Sequence, residues 1–134
     1  MYKWSRYSTN GYEVSSHGDK RFSAFFAYLK DGRNIETAYQ LDVKGYRALG
    51  DDWELGKGNP PLRALSKDDV WEEYKELWKT YIDENPKIFE DLAELCKDKT
   101  LTDKFAATDI SQARALCELL NEKYYPNYKS KELF

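Results

Sequence analysis

The spacing of apolar and polar residues changes period along the chain. Phe22 to Leu29 and Ile35 to Val43 alternate in twos and are rich in aromatic and β-branched residues, which predicts two strands. Lys30-Asp31-Gly32-Arg33 stands between them, and Asp-Gly is a favoured two-residue hairpin turn. Pairing across that turn puts Phe22, Ala24, Phe26, Tyr28, Ile35, Thr37, Tyr39 and Leu41 on one face, which reads as a core face. Arg21, Ser23, Phe25, Ala27, Glu36, Ala38, Gln40 and Asp42 take the other, with Asp42 opposite Arg21 as a cross-strand charge pair.

From Ser66 onward the period lengthens to that of a helix. Ser66 is the expected cap of a first helix, with Asp68 and Asp69 in its first turn and Val70, Trp71, Tyr74, Leu77, Trp78, Tyr81 and Ile82 as its apolar stripe. Asn85-Pro86 ends that helix and begins the next, since proline is tolerated at the first helical position. Ile88, Phe89, Leu92, Leu95 and Cys96 form the second stripe. Thr100 to Ala106 reads as a short strand. A third helix starts near Asp109, whose spacing to Gln112 fits a capping box, and buries Ala113, Leu116, Cys117 and Leu120. The expected architecture is one α+β domain over residues 1–134. Its antiparallel hairpin-based sheet is covered on one face by about three helices, with residues 1–11 and 124–134 peripheral or frayed.

Composition narrows the class. The 134 residues are 41% hydrophobic and 34% charged with a net charge of −3, which fits one soluble domain and argues against a basic nucleic-acid coat. The charge is unevenly divided: residues 1–65 carry ten basic and eight acidic groups, and residues 66–134 carry eleven and sixteen. No window approaches the roughly 18 apolar residues of a membrane span, and Met1 to Asn10 lacks the apolar run of a secretory signal. Cys96 and Cys117 both fall on apolar helix faces, so they read as two buried thiols of a cytoplasmic protein rather than a disulfide.

Candidate chemistry concentrates in loops. Gly56-Lys57-Gly58-Asn59-Pro60-Pro61 combines glycines that let a backbone approach a ligand with a lysine that adds charge, although it lacks P-loop spacing. Lys20 and Arg21 precede the first strand and, with Lys57, could clamp a phosphate or carboxylate; a solvated turn is the plain alternative. Arg114 lies in the first turn of the last helix, where it could meet an anion or simply accompany a cap. Trp4, Tyr7, Tyr12, Tyr46 and Trp53 fall outside periodic segments and could stack on a ring or cover the core. Glu36, Gln40 and Asp42 share one sheet face, where paired carboxylates could do acid–base work; the alternation of any sheet with one wet face is the plain alternative. His17 is the one histidine, and no Gly-x-Ser-x-Gly elbow accompanies it. With one histidine and two helix-buried cysteines there is no metal-ligand spacing, and neither a metal nor a cofactor is expected.

Several of these runs carry a resemblance. Tyr12-Glu13-Val14-Ser15-Ser16, Gly18 through Phe25, Asp31-Gly32-Arg33, Asp42 through Tyr46, Leu55 through Leu62, Leu101 through Ala106 and Ser111 through Leu116 resemble a small uncharacterised protein family common in bacteriophage genomes. More distantly, Trp53 to Leu62, Tyr74 to Trp78 and Asn85 to Leu95 resemble a bacterial and phage domain of unknown function. Where that domain has Cys-Trp-Cys and Cys-His-Ala-Asp motifs, Leu101-Thr102-Asp103 and Ser111-Gln112-Ala113 stand instead, so any thiol or imidazole chemistry it has is missing. The aromatic-Gln strand and Asn-Pro helix are faintly similar to N-glycosidases acting on nucleotide-like compounds, which points to Glu36.

The expected function is that of a phage or prophage accessory protein in the host bacterial cytoplasm. It binds a phosphorylated, nucleotide-like molecule through Lys20, Arg21, Lys57, Gly58 and Arg114, with Tyr46 or Trp53 stacking. Two alternatives stand beside it. One is an inhibitor that occupies a host or defence protein through the acidic helical face of Asp68, Asp69, Glu72, Glu73, Glu76, Asp83 and Glu84. The other is an N-glycoside hydrolase using Glu36. Neither bulk nucleic acid nor a membrane is an expected partner.

Overall fold

The computed structural model describes residues 1–7, 9–40, 67–104, 106, 110–125, 127 and 128. The outer part of the expected second strand (Leu41 to Val43), the glycine- and proline-rich run, the Ser66 cap and Asp109 lie outside the described residues.

The sheet is not the expected hairpin. It consists of three short parallel strands, β1 (Trp4–Ser5), β2 (Gly11–Glu13) and β3 (Thr100–Thr102), in the order β1-β3-β2. Trp4 and Tyr12 both oppose Leu101, which is fully buried between them. The Leu101 N–H donates to the Lys3 carbonyl and the Val14 N–H to that of Thr102, each at 2.9 Å. Trp4 and Tyr12, unplaced by periodicity, are thus strand residues packed against the core.

Residues 20–38, where the hairpin was expected, take another course. Lys20–Phe22 is a single 3-10 turn capped by Asp19, and Ile35–Ala38 is a one-turn helix, α1. The Asp-Gly turn itself forms: Gly32 has φ 94°, the left-handed region glycine tolerates, and the Leu29 N–H donates to Arg33 O at 2.8 Å. Only an isolated bridge, Tyr28 with Asn34, precedes the change of direction. Asn34 then caps α1, its Oδ1 accepting from the Thr37 N–H at 3.2 Å, so the chain coils where a second strand would extend. Among the described residues the assumed core face holds only at Phe22, Ala24 and Ile35, which are buried; Phe26 and Tyr28 point outward, while Ser23, Ala27 and Ala38 of the opposite face are buried.

The helical half follows its pattern closely. In α2 (Lys67–Glu84), Val70, Trp71, Tyr74, Trp78, Tyr81 and Ile82 are buried and Leu77 half-buried. Asn85 joins it to α3 (Pro86–Leu95), with its Nδ2 donating to the Tyr81 carbonyl at 2.8 Å to close the end of α2. α3 buries Phe89, Leu92 and Ala93, while Leu95 faces outward. α4 (Gln112–Tyr124) is capped by Ser111, whose hydroxyl accepts from the Arg114 N–H at 3.3 Å. From Ala113 to Asn121 every residue of α4 is buried, as befits a helix surrounded by others. It packs on α2, β1 and β3. Asn121 also clamps the Tyr2 backbone, accepting from its N–H at 2.8 Å and donating to its carbonyl at 3.1 Å.

Cys96 and Cys117 are buried free thiols, and burial pushes both up to about 12. No helix among the described residues is long and apolar enough to cross a membrane.

Candidate functional site

The basic residues singled out by sequence have different surroundings. Lys20 is exposed, with Nζ 5.1 Å from the centre of the Phe26 ring. Arg21 grips Asp19, Nη2 to Oδ2 at 2.7 Å and Nε to Oδ1 at 3.0 Å, and reaches Asp91 of α3 at 3.3 Å. Tyr12 donates its hydroxyl to the same Asp19 carboxylate. Burial works against the charged Asp19, yet hydrogen bonds from Arg21 and Tyr12 outweigh it and hold its pKa below the usual carboxylate value. Burial and that hydrogen bond push Tyr12 up to about 12. Arg21 is therefore engaged in binding 3-10 turn, β2 and α3 together.

Arg114 is almost wholly buried in the contact between α4 and α2. Its guanidinium carbon lies 3.7 Å from the centre of the Trp71 ring, and Nε is 3.8 Å from Glu118 Oε1. Glu118 Oε2 is in turn 3.4 Å from Lys75 Nζ, which also pairs with Glu122. Tyr46, Trp53, Lys57 and Gly58 lie outside the described residues.

The residues that do gather are partly those of the Glu36 reading. Glu36 is half-buried in the first turn of α1 and accepts from Gln40 Nε2 at 2.6 Å, a pairing made by helical i, i+4 spacing rather than by a sheet face. Tyr39, next to Gln40, packs its ring 4.7 Å from that of the buried Tyr74 of α2. Burial raises the Tyr74 hydroxyl well above its ordinary value, and the negative charges of Glu36 and Asp103 push it the same way. Asp103 is itself buried, one residue past the carboxyl end of the central strand β3. Ligand crevices of parallel sheets open at that end. A row of rings, Tyr39, Tyr74 and Trp71, thus runs from the end of the α1 segment to the Arg114 guanidinium. The described chain leaves this cluster at Gln40 and returns at Lys67, one helical turn before Trp71.

Chemically the cluster offers carboxylate acceptors for hydroxyl groups, a tyrosine that stays protonated as a donor, flat rings and one cation. Asp103 and Tyr74 were missed from sequence as site residues. Tyr74 reads as one member of an apolar stripe. The signal for Asp103 is an acid directly following Thr-Leu-Thr, a short β-branched run.

His17 is exposed, and its Nδ1 lies 3.1 Å from Ser16 Oγ, while Asp19 is committed to Arg21 and Tyr12. No group of three or more His, Cys, Asp or Glu side chains among the described residues is arranged to hold a metal ion. Two surface hollows are lined by described residues. One, of about 350 Å³, lies between α2, α3 and α4 over Ile82, Phe89 and Leu119; the other, of about 540 Å³, lies beside Tyr2, Tyr124 and Tyr125. The first includes Asp83 of the acidic helical face, and neither includes a residue assigned from sequence to the small-molecule site. No protein-family model matches the chain, and no curated protein or solved structure is significantly similar to it.

Proposed function

We propose that the chain is a phage or prophage accessory protein that binds a small nucleotide-like molecule, with the Glu36–Tyr39–Tyr74–Asp103 cluster taking the ribose and base. One observation carries this reading: the half-buried Glu36, held by Gln40, stands beside a row of three rings, Tyr39, Tyr74 and Trp71, that ends on the buried Arg114 guanidinium. Carboxylates suit the paired hydroxyls of a ribose, and rings suit the face of a base. Arg114 gives the site a positive end, and Lys57 is assigned to the phosphate on sequence grounds.

Calorimetry against a panel of nucleosides and their phosphates tests this. Native protein should bind, Glu36→Gln and Tyr39→Ala should weaken nucleoside and nucleotide alike, and Lys57→Ala should weaken the nucleotide selectively. Absence of binding across the panel would overturn the proposal.

The half-buried Glu36 carboxylate, held by Gln40, also favours a second reading, N-glycoside hydrolysis, in which Glu36 assists water in displacing the base from the anomeric carbon. Release of free base by native protein, abolished in a Glu36→Gln variant that still binds, is the expected result. A ligand recovered intact after long incubation rejects it.

A further inference from the structure

The segment Ser23 to Leu29 buries its small residues and displays its large ones. Ser23, Ala24 and Ala27 are essentially inaccessible, whereas Phe25, Phe26 and Tyr28 are 54%, 49% and 59% exposed. Core packing does not account for three adjacent aromatics held outward. The display is rigid. Asn34 Nδ2 donates to the carbonyls of Phe25 at 3.0 Å and Ala27 at 3.1 Å, the Ile35 N–H to Ala27 O at 3.1 Å, and the Glu36 N–H to Ala24 O at 3.0 Å. Rings fixed in advance lose little freedom on binding, which is the usual character of an interface anchor.

Charge indicates the partner. Residues 19–33 carry four cations, Lys20, Arg21, Lys30 and Arg33, against Asp19 and Asp31, and the ion pairs Arg21–Asp19 and Arg33–Asp31 leave Lys20 and Lys30 as the excess positive charge. Helix α2 carries seven anions against three cations, and Asp68, Asp69, Glu72, Glu76 and Asp83 are exposed. The two features abut within one molecule, since the Lys30 N–H donates to Glu84 Oε1 at 3.0 Å at the end of α2. A two-fold axis beside that junction brings each basic aromatic turn to the acidic helix of the other copy.

We propose that the chain forms a homodimer in which the Phe25–Phe26–Tyr28 turn of each copy seats on the outer face of α2 of the other. The three rings offer about 100 Å² each, and a standard interface takes about 800 Å² per partner. The rings therefore supply the centre and the charged flanks the rim. Such a dimer is weak and loosens in salt, because exposed charge pairs are screened.

Sedimentation velocity over micromolar to millimolar protein tests this, at low and high salt. The native chain should pass from monomer to dimer, with at least a tenfold weaker association in high salt. Phe25→Ser/Phe26→Ser and Glu72→Lys/Glu76→Lys should each stay monomeric, with circular dichroism confirming native helix content. Mixing the two variants should restore partial dimer, because each retains the face the other lacks. A native chain monomeric throughout overturns the proposal, as does a dimer indifferent to both variants. If the monomer instead shifts a labelled oligothymidylate, the turn serves a polyanion and the homodimer is rejected.

Discussion

Truncating Leu101 to alanine, set beside truncating Tyr28, tests the parallel sheet against the hairpin that the residue pattern suggests. Leu101 is fully buried, flanked by Trp4 on one strand and Tyr12 on the other. The substitution removes three carbons, worth about 2.4 kcal/mol at about 0.8 kcal/mol per buried group. The cavity left in a strand fixed on both sides brings the loss to about 3–4 kcal/mol. Domains of this kind are stable by about 5–15 kcal/mol, so much of the total is at stake. Tyr28, 59% exposed, should cost about 1 kcal/mol or less when cut to alanine. In a hairpin with Tyr28 on the core face the order reverses. Urea unfolding followed by tryptophan fluorescence separates the cases: with a slope of about 2 kcal/mol/M, the Leu101→Ala midpoint should fall by about 1.5 M and that of Tyr28→Ala by about 0.5 M or less. A larger loss at Tyr28 than at Leu101 would refute the sheet assignment.

Three further outcomes follow from local geometry. A Cβ on Gly18 would lie 2.1 Å from the Glu13 carbonyl oxygen and 2.6 Å from its carbon, so Gly18→Ala should lower unfolding stability by about 1–3 kcal/mol; native stability in that variant would contradict the packing of β2 on the following turn. Ser111→Ala should cost about 1 kcal/mol in thermal melts through loss of the α4 cap, and an unchanged melting temperature would show the hydroxyl to be idle. Cys96 and Cys117 are raised from 9.0 to about 12 in the folded chain, so the unfolded state ionises first and stability, complete below pH 9, should decline as pH rises toward 12. Urea midpoints measured above pH 9 should fall less steeply for Cys117→Ala, and at neutral pH neither thiol should react with an aromatic disulfide until the chain unfolds.

The helical half was legible because long amphipathic stripes repeat one signal over several turns. Trp71, Tyr74 and Trp78 are inside for the reason their spacing implies, and Pro86 starts α3 where its fixed φ belongs. The strands were not legible. Trp4–Ser5 and Gly11–Glu13 are too short to show a period, and they pair with residues far away in sequence. The hairpin expectation put Phe26 and Tyr28 inside and Ser23 and Ala27 outside, whereas the two aromatics are exposed and the two small residues buried. Asn34 was the overlooked sign, since an asparagine followed by Ile-Glu-Thr is a helix start. For the site, Glu36 was found for its residue type but given a strand partner. Its observed partner is Gln40, met through helical i, i+4 spacing, and the adjoining Tyr39 meets Tyr74 of α2, a contact no local pattern encodes.

The central position of β3 bears on how the chain acquires its structure. The two edge strands lie within the first thirteen residues, and the strand they share begins at Thr100. During synthesis the N-terminal segment therefore emerges long before its template. β1 and β2 remain without sheet partners until β3 has left the ribosome. The helices α2 and α3, built from local contacts, can condense earlier, while the sheet must close a loop that spans most of the chain. Folding should thus finish at the sheet, with β1 and β2 made well before β3 yet among the last segments to be secured.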